Sequence, residues 1–273
     1  MHGVSTIGKI NQNWTFRPLV DRGFSELRRG SMPQARADGS HPRTVKRKVD
    51  PVSAIFFGSI STLADTSELQ RRAFNEAFGA HGLDWEWSRD DYISMLDSNG
   101  GAQRIADYAK QQGEDDVDAP AIHTTKSEIF RELLGTQNVS ARPGVAATIE
   151  RAKEEGHQVG LVTTTSPENV AALLDALKGQ IDAGAFDIVV DKTAVEDPKP
   201  SPSSYLYALS ELGFDAADAV AIEDNVGGVA AAVEAGIACV AFPNENTAAC
   251  DFREATETVE SVDIDQLTKL AVA

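Results

Sequence analysis

Residues 52–66 read VSAIFFGSISTLADT and decide the fold of the chain. The apolar run at 52–57 is short and rich in β-branched and aromatic residues, which is typical of a strand buried on both faces of a parallel sheet. Gly58 and Ser59 interrupt the run, and apolar residues recur at helical spacing over 66–80. The stretch predicts a buried strand, a loop and a helix. In an α/β sheet a ligand site lies where such a strand ends.

Repeated strand and helix units after position 141 predict a parallel sheet flanked by helices. Strands are predicted at 157–163, 186–190, 219–223 and 237–242, with helices near 202–212 and 226–235. A further helix is predicted to carry Pro143 in its first turn and to end at Gly156. The sequence TSPE at 165–168 predicts a capping box at the start of another helix.

Between the first strand and this series, the sequence predicts a helical insertion. Helical stretches lie near 90–96, 102–110 and 119–134, and no segment between 84 and 140 has the composition of a strand. We therefore expect an α/β fold in which a Rossmann-like core, with a parallel sheet flanked by helices, is built from 51–66 and 141–273. An α-helical cap is expected at 67–140.

Charge is unevenly distributed along the chain. Residues 1–50 contain ten Lys/Arg and four Asp/Glu, a net charge of +6, so residues 51–273 must carry −23 for the chain to total −17. A body this acidic repels polyanions, which argues against nucleic acid as a partner and favours a small ligand or a metal. No apolar run approaches the length of a membrane span, and two cysteines are too few for a secreted disulfide framework. We expect a soluble, cytoplasmic protein without membrane association.

The first 50 residues lack helical or strand periodicity and contain the basic sequence RTVKRK at 43–48. We expect a largely disordered basic extension. Three interpretations stay open for it: an over-extended start with Met32 as an alternative first residue, a basic arm that binds an anionic surface, or an organelle-targeting peptide.

Four segments lie at predicted strand ends. They are residues 54–66, residues 161–163 (LVT), residues 197–202 (DPKPSP) and residues 221–236 (AIEDNVGGVAAAVEAG). In this order they resemble motifs I to IV of haloacid dehalogenase-type phosphatases, and four motifs together are a far stronger signal than one. The helical insertion resembles the cap of the β-phosphoglucomutase-like branch. Within it, residues 100–105 (GGAQRI) resemble the CbbY-like group of sugar-bisphosphate phosphatases linked to carbon fixation.

The resemblance implies a specific defect in motif I. In the family, two aspartates two residues apart act there as nucleophile and general acid/base, and these positions are Gly58 and Ile60 here. Neither side chain can attack phosphorus, accept a proton or bind Mg²⁺. The resemblance therefore implies a phosphatase fold in which the usual phosphoryl transfer cannot run.

Other positions of the family site are occupied by suitable residues. The resemblance implies that Thr163, Thr164 and Lys199 contact phosphate, and that Asp224 binds Mg²⁺ while Glu223 ligates it or orders its waters. Each assignment has a structural alternative. Thr163 can end a strand and cap a turn, Lys199 can be a surface lysine, and Asp224 can cap a helix.

Loss of the motif I carboxylates has two expected consequences. Mg²⁺ binding should be weak or absent, because the ion needs several hard oxygen ligands. Lys199 and nearby amides should be left able to hold an anion unaided. We therefore expect the chain to bind a phosphorylated small molecule, such as a sugar phosphate, without turning it over.

Two alternatives remain open at this stage. The first is an active phosphatase or phosphosugar mutase with a relocated nucleophile. Ser59 and Ser61 offer hydroxyl groups for it, whereas Asp65 matches an additional family aspartate that we expect to support the entrance of the cap helix. The second is a protein-interaction role, which would require the Ile60 side chain to close the pocket.

Overall fold

The structure, a computed structural model, describes residues 53–96, 100–114 and 116–270. The predictions made for residues 1–50, namely disorder and the three interpretations of the basic extension, lie outside the described residues. No helix within the described part of the chain is both long enough and apolar enough to cross a membrane.

Six strands form one fully parallel sheet in the order β3-β2-β1-β4-β5-β6. The strands are β1 (Ala54–Phe57), β2 (Gln158–Val162), β3 (Ile188–Val190), β4 (Ala219–Glu223), β5 (Ala238–Ala241) and β6 (Glu257–Thr258). Phe57 is in register with Leu161 of β2 on one side and with Ile222 of β4 on the other. The carboxyl ends of these three central strands therefore meet at one edge, and the predicted α/β, Rossmann-like fold is confirmed.

Ten α-helices lie in the described part of the chain, and those outside the insertion cover both faces of this sheet. They are α1 (Ile60–Leu63), α2 (Ser67–Ala80), α3 (Arg89–Ser94), α4 (Gly101–Gln112), α5 (Ala119–Thr136), α6 (Val145–Glu154), α7 (Pro167–Ala176), α8 (Ser203–Leu212), α9 (Val226–Glu234) and α10 (Ile264–Leu270). Successive strand residues face opposite sides. Ile55 and Phe57 therefore pack in a cluster that includes residues of α6, α7 and α10, whereas Ala54 and Phe56 pack in one that includes residues of α8 and α9.

A third apolar cluster lies among the inserted helices. Its members include Phe74, Phe78, Trp87, Ile105 and Ile122, from α2, α4, α5 and the segment before α3. The aromatic rings are close, with Phe78 and Trp87 centroids 4.7 Å apart in an edge-to-face arrangement. Between 84 and 140, the described residues form helices and no strand. The inserted helices thus have apolar packing of their own.

Two local predictions were wrong. Pro143 lies before α6, because residues 142–145 form a turn closed by the Val145 N–H donating to the Arg142 carbonyl (3.1 Å). Gly144 has φ 80° and ψ −15° in this turn, values typical of the third position of a type II turn, where glycine is favoured.

The capping box predicted at 165–168 is also absent. Pro167 occupies the first position of α7, so the cap is Ser166, whose side chain accepts a hydrogen bond from Asn169 N (3.3 Å). The short helix α1, the two-residue strand β6 and the terminal helix α10 were not predicted.

Candidate functional site

Gly58 is the first residue after β1, at the edge where the central strands end. Its N–H donates to the Ile222 carbonyl of β4 (2.8 Å), which continues the sheet by one further bond. Ile60, two residues later, is 5% exposed and belongs to the main core cluster. Its side chain is thus part of the apolar packing. The space beside Gly58 is filled by a different residue.

That residue is Glu223, the last residue of β4, which is completely buried. A Cβ atom built on Gly58 would collide with the Glu223 carboxyl group, and so would a Cβ atom built on Gly228 at the start of α9. The carboxyl group therefore occupies space that exists because both positions lack side chains. The resemblance implied that Glu223 ligates Mg²⁺ or orders its waters. In the structure its carboxyl group lies inside the protein, where any side chain at position 58 would project.

Lys199 completes a buried polar cluster with Glu223. Its ammonium group donates to the Glu223 carboxylate (2.5 Å), the Gly58 carbonyl (2.5 Å) and the Val162 carbonyl (2.7 Å). The Lys199 side chain is only 9% exposed, so it is not the surface lysine of the structural alternative. Lys199 was expected to be able to hold an anion unaided, and in the structure it holds the carboxylate of Glu223 at the end of β4.

Tyr205 of α8 supports this ion pair. Its hydroxyl donates to the Glu223 carboxylate (2.7 Å), and the Lys199 ammonium lies 4.4 Å from the centre of its ring. Burial raises the pKa of Glu223, which the positive charge of Lys199 opposes, and burial raises the pKa of Tyr205 well above its ordinary value. Tyr205 is therefore a protonated donor at neutral pH. The second carboxylate oxygen of Glu223 is buried and has no hydrogen-bond partner among the described residues.

Asp224 is buried beside this cluster and accepts three hydrogen bonds. The donors are the Ser59 hydroxyl (2.7 Å), the Asn225 amide (3.1 Å) and the Asn244 amide (3.1 Å). The alternative in which Asp224 caps α9 was wrong, because Asn225 is the cap and accepts from Gly228 N (2.8 Å).

The donor set does not fit Mg²⁺. Both oxygens of Asp224 accept bonds from amide or hydroxyl donors, and positions 58 and 60 supply no carboxylate. Across residues 53–96, 100–114 and 116–270, no group of three or more His, Cys, Asp or Glu residues is arranged to hold a metal ion. Weak or absent Mg²⁺ binding stays a prediction.

The candidate substitute nucleophiles are all engaged in local structure. Ser59 caps α1, because its Oγ accepts from Ser61 N (3.0 Å) and Thr62 N (3.2 Å) while it donates to Asp224. Ser61 is buried and shares a hydrogen bond with Thr66 (3.1 Å). Asp65 is exposed and accepts from the Ser67 N–H (3.1 Å) and hydroxyl (2.5 Å), at the entrance of α2 as expected.

The threonines after β2 lie beside a small cleft. Thr163 is buried, and its Oγ accepts from Thr165 N (3.3 Å), so it caps the turn as in the structural alternative. Thr164 is exposed. With Lys192 and neighbouring residues, the two threonines line a cleft of about 180 Å³. Their predicted role toward phosphate stays a prediction.

Sequence analysis missed a group of basic residues inside the cap. Lys126 of α5 is only 4% exposed, and among the described residues its ammonium hydrogen bonds only to the Gln70 side chain (2.8 Å). It also lies 4.7 Å from the centre of the Phe74 ring. Burial, reinforced by the charge of Arg104, lowers the pKa of Lys126 to about 7. Burial, together with the charges of Lys126, Lys192 and Arg104, lowers the pKa of His123 to about 4.

Basic side chains from both parts of the chain act on His123, whose lowered pKa leaves it neutral at neutral pH. Arg104 belongs to α4, His123 and Lys126 belong to α5, and Lys192 follows β3. We call Arg104, Lys126 and Lys192 the cap cations. Such a cluster in a strongly acidic body is a candidate contact surface for an anion. One sequence signal was available, because Lys126 falls on the apolar face of α5 at four-residue spacing from Ile122 and Phe130.

A second contact joins the inserted helices to the core at residues 244–246. Arg89 of α3 donates to the Asn246 side chain (2.9 Å) and to the Glu245 carboxylate (2.9 Å). Asn246 N donates to the Asn244 side chain (2.9 Å), and Asn244 in turn holds Asp224. We call this path the Arg89 latch. It connects the candidate site with the cap.

Comparisons with known proteins agree with the observed α/β fold. The model of the family described as haloacid dehalogenase-like hydrolase matches residues 61–242. The protein named CbbY from Cereibacter sphaeroides is 40% identical over 212 residues, which cover 77% of this chain and 92% of the relative. The crystal structure of CbbY from Rhodobacter sphaeroides in complex with phosphate is similar with a TM-score of 0.72 and 39% identity, over 77% of this chain and 94% of that one.

Two further solved structures are informative. A mutant of CbbY from Rhodobacter sphaeroides in complex with xylulose-(1,5)bisphosphate is similar with the same TM-score of 0.72 and 39% identity, and with the same coverage. The β-phosphoglucomutase from Clostridium difficile is similar in fold alone, with a TM-score of 0.67 at 17% identity, over 81% of this chain and 97% of that chain.

Proposed function

Because the chain belongs to the haloacid dehalogenase-like hydrolase family, in its CbbY-like branch, we propose that it binds a sugar phosphate beneath its cap without hydrolysing it. The chain is a sugar-phosphate phosphatase-like member of this family. The proposal concerns what remains of the activity after the change in motif I. It has two parts, the loss of phosphoryl transfer and the retention of ligand binding.

One observation carries the loss of transfer. The Glu223 carboxyl group lies where a residue-58 side chain would project, and it is buried against Lys199, Tyr205 and Gly228. The family's nucleophilic attack uses a carboxylate that can reach phosphorus in line with the leaving oxygen. A completely buried carboxylate cannot meet that requirement, and Ile60 supplies no proton donor for the leaving oxygen.

The cap cations support the retention of binding. Lys126 is buried and Arg104 is partly buried, on neighbouring helices, and the charges of both and of Lys192 from the core act on His123. An anion placed among them would form charge-assisted hydrogen bonds in a site of low polarity. Solved structures of CbbY from Rhodobacter sphaeroides contain phosphate and xylulose-(1,5)bisphosphate, which makes a phosphorylated sugar the ligand class to test.

The test combines a binding assay with a release assay. We expect calorimetry to detect binding of xylulose 1,5-bisphosphate to the wild-type chain, and a colorimetric assay with Mg²⁺ to detect no phosphate release from it. Lys126→Met should weaken binding about tenfold or more. The matched control is Lys110→Met, which removes an exposed lysine of α4 and should leave affinity unchanged. Absence of binding by the wild type would contradict the proposal and favour a protein-interaction role.

One contact favours a second candidate, a phosphatase with a relocated nucleophile. The Ser59 hydroxyl donates to Asp224 at 2.7 Å, so this carboxylate is placed to accept its proton. In such a reaction Ser59 Oγ would bond to phosphorus as the bond from phosphorus to the sugar oxygen breaks, and Asp224 would take the serine proton and pass it to the departing sugar oxygen. Water would then hydrolyse the phosphoserine and release phosphate. Phosphate release by the wild type that disappears in Ser59→Ala, but persists in Ser61→Ala, would support this candidate over the first.

A further inference from the structure

The cluster of Glu223, Lys199 and Tyr205 is more than a remnant of a catalytic site, because its three side chains bond to one another inside the protein. We propose that Glu223 is an internal anion that closes the phosphate position at the sheet edge by occupying Lys199. The inference does not depend on whether a sugar phosphate binds beneath the cap. It concerns the core alone.

The hydrogen-bond donors of Lys199 are all used within the protein. An ammonium group has three N–H donors. Three oxygens lie within 2.7 Å of it, from Gly58, Val162 and Glu223, and these account for all three donors. The Tyr205 oxygen, 3.4 Å from the ammonium, is itself a donor to Glu223. No donor of Lys199 is left for a phosphate oxygen.

Two glycines leave the space that the Glu223 carboxyl group occupies. The Glu223 carboxyl group fits between Gly58 and Gly228, and a Cβ atom on either glycine would collide with it. The arrangement therefore depends on the absence of side chains at both positions. At position 58, this absence is the same change that removes the nucleophile, so loss of the catalytic carboxylate and closure of the phosphate position have one cause.

The charge of Glu223 also acts against phosphate binding. A phosphate at this edge would approach the carboxylate of Glu223 closely, and like charges in a buried site repel strongly. One Glu223 oxygen has no hydrogen-bond partner among the described residues, so the carboxyl group is not held by a complete set of donors. Its removal should therefore open the position to another anion, with Lys199 as the binding cation.

The test uses inorganic phosphate as the probe and the full chain as the protein. We expect Glu223→Ala to bind phosphate at least about tenfold more tightly than the wild type, measured by calorimetry and by the rise in melting temperature. Adding Lys199→Met to this variant should abolish the gain. Glu234→Ala, which removes an exposed carboxylate of α9, is the matched control and should show no gain.

A second variant covers the case in which Glu223→Ala does not fold. Gly58→Ala keeps both charged residues but removes the room for the Glu223 carboxyl group, so it should show the same gain in phosphate affinity. Unchanged affinity in both variants would overturn the proposal. So would wild-type phosphate binding that is lost in Lys199→Met. Phosphate held by the cap is recognised by its loss in Lys126→Met, which separates failure of this proposal from failure of the proposed function.

Discussion

Two buried lysines, one in the core and one in the cap, have opposite electrostatic surroundings. Lys199 donates to a carboxylate and two carbonyls, so its charge is cancelled within the protein. Lys126 has an amide oxygen and aromatic rings for neighbours, and its pKa falls to about 7. Lys199 is therefore paired with an internal anion, whereas Lys126 has no carboxylate partner among the described residues.

The difference shows what a change in one motif does to the rest of a site. A missing aspartate does not leave an empty hole in the core, because protein interiors are closely packed and the neighbouring Glu223 fills the space. The charge of Lys199 then stabilises the fold through its ion pair with Glu223. Under the proposed function, the basic groups of the cap are left to hold an external ligand.

The comparison predicts opposite stability effects for the two lysines, and this is the largest expected effect. Lys199→Met leaves Glu223 buried without its cation and should lower the free energy of unfolding by about 3–5 kcal/mol. Lys126→Met places an apolar side chain among apolar neighbours and should raise it. Urea unfolding at pH 7 measures both, with Lys110→Met as the exposed control. Equal losses in the free energy of unfolding for Lys199→Met and Lys126→Met would contradict the predicted difference between the two lysines.

The pH dependence of stability gives a second test of the comparison between Lys199 and Lys126. The folded-state pKa of Lys126, about 7, lies below the ordinary lysine value of 10.5. Between these values the unfolded chain binds more protons than the folded chain, so this group makes stability rise with pH. From pH 7 to 9.5 its contribution is on the order of 3 kcal/mol. Urea unfolding across this range should show a smaller rise for Lys126→Met than for the wild type, and parallel curves would contradict the shifted pKa.

Tyr205 tests how the Lys199 ion pair is supported. Tyr205→Phe removes one donor to the Glu223 carboxylate but leaves Lys199 in place, so we expect a loss of about 1–2 kcal/mol in the free energy of unfolding. Tyr207→Phe on the same helix is the control, because that side chain is 39% exposed and should tolerate the change. A loss in Tyr207→Phe equal to that in Tyr205→Phe would show that the effect is general to α8.

Arg89 provides the smallest expected effect and an exposed reference for the two buried lysines. Its ion pair with Glu245 lies at the surface, so Arg89→Ala should change the free energy of unfolding by less than about 1 kcal/mol. The change should shrink further at high salt. Arg72→Ala removes another exposed pair, with Glu76 on the same helix, and serves as the control. A large, salt-independent loss in Arg89→Ala would show that the latch is held by more than this surface ion pair.

Much of the fold could be predicted from sequence because its signals are local. The strand over 54–57, the apolar face of α2 and the order of four motifs all depend on residues close together in the chain. The errors were local as well. Pro143 was placed in a helix because proline is common in a first turn, whereas Gly144 forms the turn that precedes α6.

The candidate site was harder to predict, because its decisive contacts join residues from distant parts of the chain. Motif matching placed Lys199 and Glu223 near each other, but their pairing depends on the space left by Gly58 and Gly228. That space is a property of the folded interior, and spacing in the sequence does not report it. Lys126 was detectable as a charged residue on an apolar helix face.

Trp87, close to the Arg89 latch in the chain, gives the protein a fluorescence reporter of its own. Trp87 is completely buried in the apolar packing of the cap and lies two residues before Arg89, while the same latch reaches Asp224 through Asn246 and Asn244. A shift of α3 on ligand binding would change the surroundings of this indole. Its emission spectrum would then follow the cap without any attached dye.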